Sequence, residues 1–156
     1  MKAFRYKLER VLDIRKLEQE QIEMKLAAIV MELNNLLEEK EKTLNEKEET
    51  FNMWQKAQEG RLNIADLIAY QNRIIKINLN IEGLDGKIQK TKEGIEKVRE
   101  ELIEASRKSK ILEQLKEKKF AEYRFEMEKE EQGILDEIGQ NIFIRNGKKN
   151  EEESIK

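Results

Sequence analysis

The chain has 156 residues, 41% charged and 38% apolar, with a formal net charge of −2 and a mean hydropathy of −0.84. That mix suits a long solvated helix pair with a narrow apolar seam, not a wide globular core, and the near-neutral total exerts no general pull toward nucleic acid or anionic lipid. His, Cys and Pro are absent, which removes disulfides, thiolate chemistry, the commonest zinc and copper ligands, the usual general base and any proline-forced kink.

Residues 4 to 58 read as the first helix. Phe4, Leu8, Val11 and Leu12 open an apolar face that resumes with Ile22, Leu26, Ile29 and Leu33. Val30, Leu37, Leu44 and Phe51 then recur at heptad spacing, with Leu33, Lys40, Lys47 and Trp54 in the companion positions. Joining the two stretches takes consecutive four-residue steps through Ile29, Leu33 and Leu37, a stutter that locally relaxes a left-handed supercoil. Lysines in the seam weaken it and help to set register. A second stripe, Ile14, Leu17, Met24, Ala28 and Met31, lies beside the first. It is a locally wider core, a set of scattered surface apolars, or a face for a partner.

The stretch Gln58 to Asp66 contains the turn, with its tip at residues 59 to 63. Gly60 suits the left-handed position after a helix C-terminus. Asn63 suits an N-cap, and Asp66 follows where an acid favours a helix N-terminus.

The second helix, about residues 64 to 141, carries the strongest periodicity in the chain. Alternating steps of three and four run through Leu67, Tyr70, Ile74, Ile77, Ile81, Leu84, Ile88, Thr91, Ile95, Val98, Leu102, Ala105, Ser109 and Leu112. Only Thr91 and Ser109 in that series are polar, so the segment reads as coiled coil. After Leu112 the phase slips to a stripe of Phe120, Tyr123, Met127 and Ile134. Residues 145 to 156 are polar, contain Gly147, and are expected to be a disordered tail.

The expected fold is therefore all-α: one long antiparallel two-helix coiled-coil hairpin over residues 4 to 141, with a longer C-terminal helix. From about Phe120 onward that helix has no antiparallel mate, yet it carries large apolar side chains that call for a partner. Residues 1 to 16 and 105 to 120 each hold six Lys or Arg against two acids. Antiparallel pairing brings them together at a basic open end that invites an acidic partner. Residues 121 to 138 reverse the sign, with seven acids against Arg124 and Lys129.

The opening Phe4-Arg5-Tyr6-Lys7-Leu8-Glu9-Arg10-Val11-Leu12-Asp13-Ile14-Arg15 resembles that of the flagellar FliJ family. The run Arg107 to Lys118, followed by Tyr123, Arg124 and the acidic stretch Glu126 to Glu131, is similar to its C-terminal half. The resemblance covers residues 4 to about 140, with the chain length, unequal arms and central break. It implies a stalk-like coupling and chaperone-handling component of the flagellar type III export apparatus. Its implied partners are the hexameric flagellar export ATPase, the large membrane protein of the export gate and export chaperones, with no cofactor. Contact with the ATPase ring is implied for the end carrying both termini: Arg5, Arg10, Arg15, Arg107, Lys108, Lys110, Lys116, Lys118, Lys119, Phe120, Tyr123 and Met127. Docking to the gate is implied near the tip, at positions matching Leu44, Phe51, Tyr70, Ile74, Ile77 and Ile81. All of these fall in the expected seam. Ile68, Ile75 and Leu79 fall on the outer face and are the residue-level candidates for a docking patch.

No run approaches the ~18 apolar residues of a membrane span, and no charged-then-apolar leader opens the chain. A cytoplasmic protein with peripheral attachment at the flagellar base is expected. The rival readings are a generic coiled-coil scaffold or homodimer, or the stalk of a nonflagellar type III secretion system. Nucleic-acid binding by Arg107 to Lys119 is disfavoured by neighbouring acids and by the absence of interleaved aromatics. An enzyme is disfavoured because two helices offer no concave site to desolvate a pair of acids.

Overall fold

The computed structural model describes residues 2–61 and 63–155; Leu62, in the expected tip, and Lys156, in the expected tail, lie outside them. The fold is all-α, built from two helices, α1 (Glu9–Glu59) and α2 (Ile64–Ile155). The chain falls into two compact units, one of Met1–Arg15 with Lys108–Lys156 and the other Lys16–Arg107.

The unit Lys16–Arg107 is an antiparallel helical hairpin. Lys25 pairs with Glu101 at 3.5 Å, Lys40 with Asp85 at 2.6 Å and Arg73 with Glu46 at 3.2 Å, so partner numbers fall as α1 advances. At the turn, the Asn63 side-chain carbonyl accepts from the Ala65 N–H at 3.1 Å, and its backbone carbonyl accepts from the Leu67 N–H at 3.1 Å. The expected N-cap thus forms, with Asp66 in the first turn of α2. The expected left-handed glycine does not: Gly60 lies outside α1, but no described glycine has a positive φ.

All fourteen seam positions expected on α2, from Leu67 to Leu112, are buried or half-buried. On α1 the register differs from the expected one. Steps of three and four run without a stutter through Leu12, Arg15, Gln19, Ile22, Leu26, Ile29, Leu33, Leu36, Lys40, Thr43, Lys47, Thr50, Trp54 and Ala57, each buried or half-buried. Leu37, Leu44 and Phe51 leave the seam, at 42%, 43% and 44% exposure. The reason is the partner. α2 keeps one heptad phase over its whole paired length, and a stutter in α1 alone would put the two out of step. The buried Thr43 and Thr50 hydroxyls each donate to the carbonyl four residues back, Glu39 and Glu46, at 2.8 Å.

In the other unit, α1 begins five residues later than expected. Residues 2–6 have no regular structure, and residues 7–8 form a turn. The Phe4 ring lies against Phe120 and Tyr123, with centroids 5.2 and 5.5 Å apart. The Tyr6 hydroxyl donates to the Leu112 carbonyl and the Tyr123 hydroxyl to the Lys2 carbonyl, both at 2.9 Å. These contacts hold the segment against α2 as a strap. Leu12, 1% exposed, is among its most buried side chains. At the far end α2 does not stop near residue 141; the expected disordered tail is helical through Ile155. That segment is rich in Lys, Arg and Glu, which favour helix, and Gly147 is its one strong helix-weakening residue.

Candidate functional site

Two surfaces, one in each unit, present side chains that the fold itself does not need. In the hairpin Lys16–Arg107 the heptad register sorts the flanks of the seam. The ion pairs Lys25–Glu101 and Glu46–Arg73 join residues just before a seam position on each helix, so they mark one flank. The opposite flank carries the residue just after each α1 seam position Leu36, Thr43 and Thr50. Those are Leu37, Leu44 and Phe51. Beyond them on the same side, α2 contributes Ile68 and Ile75, at 52% and 51% exposure. Phe51 also lies against Trp54, centroids 5.7 Å apart. One flank of this hairpin thus carries cross-helix ion pairs, while the other combines these exposed apolar side chains with the α2 residues Gln71, Asn78 and Asp85, the last paired with Lys40. Leu79, 62% exposed, lies farther round α2.

Tyr70, Ile74, Ile77 and Ile81 lie in the seam; Ile77 is 6% exposed and the others are half-buried. They hold α2 to α1, while Leu44 and Phe51, expected in the seam, are exposed. The second stripe is solvent-facing throughout. Ile14, Leu17, Met24, Ala28 and Met31 are all exposed, with Leu17, Met24 and Met31 directly opposite the seam.

The second surface belongs to the unit that carries the strap. Phe4, Tyr6, Leu8 and Leu115 line an open groove of about 400 Å³ whose rim is Arg5, Lys7 and Lys119. Lys116 reaches Glu9 at 2.8 Å, and this hydrogen bond, with the Glu9 charge, raises the Lys116 pKa above its ordinary value. Lys119 pairs with Glu122 along α2 at 3.3 Å. Lys108, Lys110 and Lys118 are exposed on the same helix, and Arg10 on α1. Arg15 is half-buried in the α1 seam. Arg107 belongs to the hairpin unit and is engaged by Glu104 at 2.6 Å, a hydrogen bond that raises its pKa.

Tyr123 is the last half-buried residue on α2. Every described residue from Arg124 onward is exposed, including Phe125, Met127, Ile134, Leu135, Ile138, Ile142, Phe143 and Ile144. Phe120 and Tyr123 therefore do more than offer contacts, because they anchor the strap. The sequence reading missed the strap itself, since Phe4 and Leu8 fit a helical face as well as an extended clasp.

Of the known protein families, the one described as flagellar FliJ protein matches residues 4–148. The chain belongs to the FliJ family. No curated protein and no solved structure matches it. Membership in the FliJ family implies a component of the flagellar export apparatus. No described helix is long and apolar enough to cross a membrane. Among the described residues no three acids are grouped to hold a metal ion. The FliJ match spans both candidate surfaces, the apolar flank near the turn and the strap with the bare part of α2 up to residue 148.

Proposed function

We propose that this FliJ-family chain is a stalk-like coupling factor and chaperone-handling protein, working between the export ATPase ring and the export gate at the inner face of the cell membrane. The observation that carries this reading is the bare stretch of α2 after Tyr123. It is a helix with large apolar side chains and no intramolecular cover, next to a basic groove. Such a helix is unstable in isolation and gains by burying its apolar side against another protein. The ring engages this unit, through the bare helix and the cations Arg5, Arg10, Lys108, Lys110, Lys118 and Lys119. The gate engages the hairpin unit, on the flank of Leu44, Phe51, Ile68 and Ile75. Tyr70, Ile74, Ile77 and Ile81 support that flank from within the seam.

The test is the rate of the cognate export ATPase with and without the chain, with light scattering on the same mixture. Stimulation together with a ring-sized complex is expected. An unchanged rate and no complex would overturn the reading.

A further inference from the structure

The groove and the bare helix of the same unit are complementary to each other. The groove is apolar on its floor, from Phe4, Leu8 and Leu115, and cationic on its rim, from Arg5, Lys7 and Lys119. The bare helix has the reverse rim. Met127, Ile134 and Ile138 follow one another by seven and four residues and so share one side of α2, at 38%, 53% and 50% exposure. Glu130 and Glu137, also seven residues apart, flank that stripe, within a segment where Glu126, Glu128, Glu131 and Asp136 add further charge against Lys129. Because α2 is one unbroken helix through both regions, a molecule cannot place its own stripe in its own groove.

We propose that a second copy of this chain fills the groove, and that the protein forms a two-fold dimer in which the acidic stripe of each copy lies across the basic groove of the other. A surface that carries both halves of a complementary pair is suited to an isologous interface, where residue i meets j and j meets i. The groove sits level with Leu115 to Lys119 and the stripe with Met127 to Ile138. Two antiparallel α2 helices with the two-fold at the level of residue 125 bring each stripe to the other's groove. Opposed charge steers the encounter and sets the pairing, while the apolar stripe supplies the buried area. This inference does not depend on the export reading, because it concerns the chain alone. It does add regulation to that reading, since the dimer covers the bare helix proposed to meet the ring.

The test is the mass of the full chain by light scattering after size exclusion, over a dilution series at low salt and at 1 M salt, where the screening length falls to about 3 Å. Twice the chain mass of 18.6 kDa is expected at low salt, with dissociation favoured at high salt. Two exposed charge reversals then decide the interface. Glu130→Lys with Glu137→Lys, and Arg5→Glu with Lys119→Glu, each turn both halves of the two-fold contact repulsive, so each variant alone is expected to run as a monomer. An equimolar mixture of the two is expected to run again as a dimer, because every contact is attractive in the mixed pair. That recovery also shows that both variants are folded. A monomer at every concentration in low salt would overturn the proposal. So would a dimer indifferent to both reversals, as expected of pairing through Leu17, Met24 and Met31, or a mixture that stays monomeric.

Discussion

Thr43 and Thr50 sit in the α1 seam where leucines would make a drier contact, and both are buried, at 6% and 1% exposure. Each hydroxyl bonds a carbonyl that already serves the helix, so the bond avoids a desolvation penalty while adding little. Thr50→Val keeps the shape and removes the hydroxyl. It is expected to raise stability by roughly 0.5–1 kcal/mol, read as a higher urea midpoint. A lower midpoint would show that the hydroxyl selects the register, holding Phe51 out of the seam. Lys116 makes a separate, pH-dependent contribution. Its pKa is raised chiefly by the hydrogen bond to Glu9, so the contribution is complete below the ordinary lysine value of 10.5 and is lost as pH rises through the higher folded value. The difference in urea midpoint between the native chain and Lys116→Gln is therefore expected to be constant below the ordinary lysine value of 10.5 and to shrink above it. A difference that changes between pH 6 and 9 would assign the effect to another group.

At the scale of the element, α2 holds Gly83, Gly86 and Gly94 within its paired length, and a Cβ at any of them meets nothing within 4 Å. Glycine in a helix interior costs about 1 kcal/mol relative to alanine. With no steric reason for these glycines, replacing all three by alanine is expected to stabilise α2 by roughly 2–3 kcal/mol. Amide exchange near residues 83–94 should slow accordingly. Unchanged stability would mean that the unfolded chain or a partner, not the helix, governs this segment. The register of α2 was legible because every third and fourth residue from Leu67 is apolar, with two exceptions. That of α1 was not, because Leu33, Lys40, Lys47 and Trp54 belong to two possible seams. One is completed by Leu37, Leu44 and Phe51, the other by Leu36, Thr43 and Thr50. Hydropathy favours the first, and pairing with α2 selects the second.

At the scale of the molecule, the two units make separable predictions. Every described residue removed by ending the chain after Tyr123 is exposed, and the Phe4–Phe120–Tyr123 cluster stays intact. Helicity of the paired segments and the cooperativity of unfolding are expected to survive, and stimulation of the export ATPase is expected to be lost. Stimulation by the shortened chain would remove the bare helix from the proposed ring contact. Ending it before Phe120 instead would strip the strap, so a loss of function there would be uninformative. Replacing Ile68 and Ile75 with Ser should change stability by less than about 0.5 kcal/mol, as for exposed sites, while weakening gate binding measured by pull-down or calorimetry. A large drop in melting temperature would place both side chains in a core.

By itself the sequence determined the helical class, the turn around Gly60 to Asn63, the α2 seam, the switch on α2 from basic residues 105–120 to acidic residues 121–138, and the resemblance that the family match bears out. These are local or periodic properties, set by neighbours within a few residues. Tertiary structure decided which of two α1 faces is buried, that residues 2–8 leave the helix to clasp α2, and that Leu44 and Phe51 are surface while Tyr70, Ile74, Ile77 and Ile81 are not. Each of those outcomes depends on what the other helix presents at the same level. Phe4 gains more against Phe120 and Tyr123 than from one further turn of helix, and an apolar residue one step from the seam becomes surface when its partner helix holds a fixed phase.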